Sequence, residues 1–235
     1  MRIVPILLIC LFVTISPAFA QIEDELSGVS GSAQNQEMQD KYLSKLAEVG
    51  DAVTPAAFVS VAVVSEQRIN IIISDSRSSL TAGDAEAGLK ALIVAAYPVV
   101  FASYSENKAK GYTTPYIALT YVTWGESGKV YRVTGKDFLQ PFIDGTSLAI
   151  YGAESIYNAA LKNTFNTADF AYKVIASGGV AVRHSANKDW ASCGTIASGS
   201  EIVVLDNPAT GVYLVASQGG LSGWISPQAG ELGNK

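Results

Sequence analysis

Ala57-Phe58-Val59-Ser60-Val61-Ala62-Val63-Val64, then Ser65-Glu66-Gln67, then Arg68-Ile69-Asn70-Ile71-Ile72-Ile73-Ser74 is the stretch on which the fold turns. Both outer runs are rich in β-branched residues, which suit a pleated surface, and the polar triplet between them supplies a turn. The period then changes. Asp75 to Leu80 reads as a polar loop, and Thr81 with Asp84 three residues later forms a capping-box-like helix start. Ala85, Leu89, Leu92, Ile93 and Ala96 recur on one face of that helix, and Pro98 is expected to stop it.

The flanks extend the same texture. Met38, Tyr42, Leu46 and Val49 fall at helical spacing, predicting a helix over 36–49 that Gly50 ends. Further strands are predicted at Val99–Ser103, Tyr116–Trp124 and Val130–Val133. A last helix is predicted over Ala153–Lys162, with Tyr157 and Leu161 one turn apart. Residues 36–162 therefore read as an α+β domain, helices packed on a mainly antiparallel sheet. The polar stretch 163–169 reads as a linker.

The chain begins as an exported precursor would. Met1-Arg2 is a short positive start, Ile3 to Val13 is apolar, and Ser16-Pro17 breaks it before Ala18-Phe19-Ala20. Small residues at both ends of that tripeptide suit a signal peptidase, so residues 1–20 read as a cleavable signal peptide. The apolar run is shorter than the roughly 20 residues that span hydrocarbon. Residues 21–35 are polar and Gly/Ser-rich and read as a flexible lead. The expected location is periplasmic or extracellular, with no stable membrane insertion after cleavage.

Charge narrows the partners. The chain carries a formal net charge of −5 and no Lys/Arg cluster, which argues against nucleic acid. Cys10 lies in the signal segment, so Cys193 is the one cysteine of the mature chain and has no partner for an internal disulfide.

From Ala171 onward short strands alternate with close turn signals, an all-β pattern. Tyr172-Lys173-Val174 begins it. Val180-Ala181-Val182-Arg183, Cys193-Gly194-Thr195-Ile196, Gly199-Ser200-Glu201-Ile202-Val203-Val204 and Gly223-Trp224-Ile225-Ser226 follow in order. In that order the segments resemble the bacterial SH3 (SH3b) family, over residues 170–228, with 229–235 as a tail. The resemblance implies a small SH3-like barrel that binds cell-wall peptide or glycan, or an envelope protein, and performs no catalysis. It puts the ligand-binding candidates at Arg183, His184, Trp190 and Tyr213, and Cys193 and Trp224 in the module's core. The family's Arg-Ser-Gly-Pro loop is here Arg183-His184-Ser185-Ala186, without its glycine and proline.

Other constellations carry less. His184 and Cys193 suggest a thiol nucleophile, but both lie inside the module and no second histidine exists to orient the pair. Ser105-Glu106-Asn107-Lys108 has the Ser-x-x-Lys spacing of serine acyl enzymes without the accompanying motifs, and reads as a solvated loop. Gly125-Glu126-Ser127-Gly128-Lys129 has the wrong spacing for a phosphate loop and reads as a hairpin turn. Asp137 with Asp144, or Asp84 with Glu86, are the available carboxylate pairs for glycosidase chemistry. Tyr104, Tyr112, Tyr116, Tyr121, Trp124 and Tyr131 would stack on sugars if exposed, or fill a sheet face if not. No metal site or cofactor is expected. The leading expectation is a non-enzymatic envelope protein. The alternative is an envelope hydrolase with carboxylate chemistry in its N-terminal domain and the SH3-like module as a targeting appendage.

Overall fold

A computed structural model of the chain describes residues 57–65, 68–78, 80–109, 111, 117–143, 153–186 and 191–234. The signal segment, the lead and the helix expected over 36–49 lie outside these residues.

The opening strands form where the sequence places them: β1 (Ala57–Ser65) pairs antiparallel with β2 (Arg68–Asp75). Helix α1 (Ala82–Ala109) follows, and its start is the capping box expected there. Thr81 Oγ1 accepts from the Asp84 N–H at 3.1 Å, while Asp84 Oδ2 accepts from the Thr81 N–H at 3.2 Å. The helix crosses over to β3 (Ile117–Thr123), which lies parallel to β2. A hairpin leads to β4 (Lys129–Val133), then come α2 (Gly135–Ile143), α3 (Ala153–Lys162) and the short β5 (Phe165–Asn166). The first sheet has the order β1-β2-β3-β4-β5, antiparallel except for β2 with β3.

Pro98 does not stop α1, and no strand forms at 99–103. A proline inside a helix costs about 3 kcal/mol. Val100 sits one turn beyond Ala96 and is fully buried in the same core, and burying a valine returns about 1.5–3 kcal/mol. Packing therefore offsets most of the penalty. Ser105 to Lys108 consequently belongs to a helix and not to a loop. Helix α2 was not anticipated either. Its signal is a second capping box: Thr134 Oγ1 accepts from the Asp137 N–H at 3.2 Å, and Asp137 Oδ2 accepts from the Thr134 N–H at 2.8 Å.

Residues 163–169 are not a free linker. Phe165 and Asn166 pair with β4, and a 3-10 turn (Thr167–Phe170) delivers the chain to the second sheet. Buried Thr167 fixes this turn by donating its hydroxyl to the Thr123 carbonyl at 2.8 Å.

The second sheet contains β6 (Ala171–Val174), β7 (Val180–Arg183), β8 (Ser192–Ile196), β9 (Glu201–Ala209), β10 (Val212–Ser217), β11 (Gly223–Ile225) and β12 (Leu232–Asn234). Its order is β12-β6-β9-β10-β11-β7-β8, with every pairing antiparallel. Among the described residues the ladder does not close on itself, so β12 and β8 remain edges where a closed barrel was expected. Val174, Val180, Val182, Ile196, Ile202, Val215 and Ile225 nonetheless share one core, drawing strands from both ends of the order together.

Alternation along the first sheet explains the layering. Ile69, Ile71, Ile73, Leu119, Tyr121, Tyr131 and Val133 meet Leu89, Leu92, Ile93, Phe138 and Ile156 of the helices. On the other face Ala62, Ile72, Val122, Trp124 and Val130 meet Val203, Leu205, Leu214, Ala216 and Trp224 of the second sheet. The stack is helices, sheet, sheet. Trp224, expected at the centre of a small barrel, lies in the core between the sheets, 3% exposed.

Candidate functional site

The seam between the sheets concentrates the buried polar groups. Its edge comes from β1, whose outward backbone groups would otherwise be an open strand edge. The Val63 N–H donates to the His184 carbonyl, His184 Nδ1 donates to the Val61 carbonyl at 2.8 Å, and Trp224 Nε1 donates to the Val63 carbonyl at 2.7 Å. The chain after β7 thus runs along β1, with Ser185 bridged in parallel to Val63.

Deeper in the seam a line of serines carries hydrogen bonds from one sheet to the other. Ser74 Oγ accepts from Trp124 Nε1 at 2.9 Å and donates to the Ser217 carbonyl at 2.7 Å. The Ser217 N–H donates to Ser222 Oγ, and the Ser222 N–H donates to Ser60 Oγ, both at 3.0 Å. All four serines are buried, so each bond replaces water that would otherwise be lost.

Ser74 and Asp75 end β2 beside the end of β3, the side of a parallel strand pair where ligands gather in open α/β sheets. Asp75 is fully buried and receives Arg77 Nε at 3.0 Å, Arg77 Nη2 at 2.7 Å and the Tyr121 hydroxyl at 2.9 Å. Burial pushes the Asp75 carboxyl upward. The hydrogen bonds from Arg77 and Tyr121 outweigh that and hold it below the ordinary carboxylate value. Burial and the Asp75 charge push the Tyr121 phenol far upward, so it stays a donor. The hairpin loop closes over this end. Gly125 has φ +92°, and a Cβ there would stand 2.4 Å from the Ser78 carbonyl oxygen, so only glycine fits.

At the opposite end of β2 the sheets part. A crevice of about 180 Å³ opens there, lined by Asn70, Thr120 and Arg132 together with Val64, Asp206 and Leu214. Asn70 Nδ2 donates to Thr120 Oγ1 at 3.0 Å. Arg132 reaches across the seam to the Leu205 carbonyl, and its guanidinium lies over the Phe165 ring, 5.0 Å from the centroid. Burial disfavours the Arg132 charge, and Asp206 partly offsets this.

Of the expected binding residues, Arg183 and Tyr213 lie on opposite faces of the second sheet. Arg183 is paired with Trp224 and shares its side of the sheet, whereas Tyr213 is paired with Ile225 and packs into the second sheet's own core. His184 is 5% exposed and committed to β1. Trp190 lies outside the described residues. Cys193 is half-buried against the second sheet's core, its thiol donating to the Val182 carbonyl at 3.3 Å.

The carboxylates and aromatics are mostly occupied in structure. Asp84 and Asp137 cap helices, and Glu86 pairs with Lys90, which also reaches Glu154 at 2.9 Å. Asp144 lies outside the described residues. Tyr121 and Tyr131 stack within the first sheet's core and Trp124 lies in the seam, so these three fill sheet faces. Tyr112, Tyr116 and the side chain of Tyr104 lie outside the described residues. Gly125 to Lys129 is the expected hairpin turn, closed by the Gly128 N–H on the Gly125 carbonyl. A solvent-facing groove between α2 and α3 is lined by Lys136, Asp137, Gln140, Glu154, Asn158 and Lys162. Among the described residues no helix is long and apolar enough to cross a membrane, and no group of three His, Cys, Asp or Glu could hold a metal ion.

Comparison of the chain with family models, with curated proteins and with solved structures finds no match.

Proposed function

We propose that the mature chain is an exported, non-enzymatic envelope protein in which an SH3-like module, residues 170–228, recognises cell-wall peptide or glycan or an envelope protein. One observation carries the reading above the others. The segments that resemble the SH3b family fall on β7, β8, β9 and β11, strands of one antiparallel sheet whose side chains share a core. The α+β half then acts as the platform that holds this module rigidly, through the seam.

The test uses the mature chain recovered from the periplasm, with N-terminal sequencing expected to read from Gln21. It is incubated with purified sacculi and, separately, with envelope extract. Retention on sacculi, or recovery of one discrete envelope protein, supports the reading. Release of soluble wall fragments would replace it with the hydrolase alternative, and neither retention nor recovery would overturn it.

A further inference from the structure

Among the described residues, the crevice at this end of the seam holds a cation, Arg132, that forms no ion pair, with Asp206 as a nearby charge. Among the described residues the ion pairs join Arg77 to Asp75 and Lys90 to Glu86 and Glu154, and none involves Arg132. A guanidinium has five N–H donors in a planar fork. One meets the Leu205 carbonyl, and the Phe165 ring beneath holds the plane in place. Arg132 thus lines the crevice as well as joining the two sheets beside it. A cation drawn from water in this way gains from an anion that can enter and accept from two donors at once.

The size of the space restricts the anion. The crevice measures about 180 Å³. That is below the 300–1,000 Å³ typical of drug-sized ligands, and fits a carboxylate with a short substituent. The walls suit such a group. Asn70 and Thr120 offer polar atoms, Val64 and Leu214 offer apolar contact, and exposed Asp206 completes the lining.

We propose that this crevice binds the carboxylate of a small amino-acid-like ligand, Arg132 holding the carboxylate and Asp206 facing an ammonium where the ligand carries one. Two sources share this chemistry: a free amino acid, and the C-terminal residue of a peptide. The inference rests on the binding reading above only in treating the chain as a binder, and it places recognition in the seam, not on the SH3-like surface.

The intact mature chain is titrated with acetate, with alanine and with N-acetyl-alanyl-alanine while side-chain and backbone NMR signals of Asn70, Thr120 and Arg132 are followed. Saturable shifts at these residues are expected for at least one of the two alanine probes, with acetate weaker. Alanine winning would identify the free amino acid, and Asp206→Asn should then weaken it; the acetylated dipeptide winning would identify a peptide terminus, indifferent to Asp206→Asn. Arg132→Gln should cost roughly tenfold to a hundredfold in affinity, the range for a charged hydrogen-bonded pair. Because Arg132 also braces the seam, Ala118→Leu provides a second variant that fills the crevice and leaves the guanidinium alone. It should abolish the shifts while the thermal transition survives. No saturable shift with either alanine probe, or shifts unaffected by Ala118→Leu, would overturn the inference. Sacculus capture scored on the same samples separates the two claims, since capture without crevice binding removes the carboxylate site and leaves the envelope reading standing.

Discussion

Trp224 Nε1 lies 2.7 Å from the carbonyl oxygen of Val63, so a tryptophan buried between the sheets also completes the strand edge of the first one. Replacing Trp224 by alanine removes both the volume and the bond, and should cost roughly 3–5 kcal/mol of stability. Trp224→Phe keeps most of the volume and should cost about 1 kcal/mol from the lost bond, plus a smaller packing loss. Denaturant unfolding followed by circular dichroism and by fluorescence would check this. Coincident transitions in both variants are expected, because the core belongs to both sheets.

Ser74 is both acceptor and donor, taking Trp124 Nε1 and giving to the Ser217 carbonyl. Ser74→Ala leaves the buried Trp124 indole N–H unsatisfied, whereas the Ser217 carbonyl keeps the Gly220 N–H. The expected loss is about 1–3 kcal/mol for the stranded donor, less if water enters. A thermal melt of the variant beside Ser74→Thr, which keeps the hydroxyl, would measure it. An unchanged midpoint in Ser74→Ala would mean that the line of serines does not hold the seam.

Asp75 gives the chain an acid-dependent component of stability. Its folded pKa lies below the unfolded value of 3.8, so the unfolded chain binds the proton first as pH falls. The contribution is complete above that value and is lost as pH drops through the lower folded pKa. Asp75→Asn should therefore be less stable than wild type at neutral pH, with the gap narrowing in acid below the ordinary carboxylate range. Unfolding curves for both proteins from neutral pH downward provide the check. A gap that stays constant with pH would remove Asp75 as the cause.

Cys193 supplies the contrast. It is half-buried, and its thiol donates to the Val182 carbonyl at 3.3 Å. Cys193→Ala should cost about 1 kcal/mol or less and leave sacculus or partner capture unchanged. Loss of capture with the fold intact would give the thiol a role that the non-enzymatic reading denies it.

Much of the first sheet was legible because its signals are local. The Ala57–Val64 and Arg68–Ser74 runs, the Thr81/Asp84 capping box and the Ala153–Lys162 helix each depend on residues within a few turns of one another, and each forms. Pro98 misled because its penalty is local while the burial of Val100 that offsets it is tertiary. The seam was the larger omission. Ile71-Ile72-Ile73 is apolar at every position, the mark of a strand covered on both faces, and Ile72 does meet the second sheet. Nothing local to Ile72 names the partner. The crevice was illegible for the same reason, since Arg132 acquires its setting from Leu205 and Phe165, the first of them 73 residues away.

The layer order also dictates when the molecule can become safe. Ala62, Ile72, Val122 and Val130 all precede residue 131, while Leu214, Ala216 and Trp224, which cover them, come more than 80 residues later. The Trp224–Val63 bond spans 161 residues. A chain delivered N-terminus first therefore completes its helix-covered sheet while the opposite face still presents isoleucine and valine to water, an interval in which strand edges and apolar faces invite aggregation. Truncation before β10 would make that interval permanent. For this chain, the final two dozen residues act as the cover that ends its exposure to other unfolded chains.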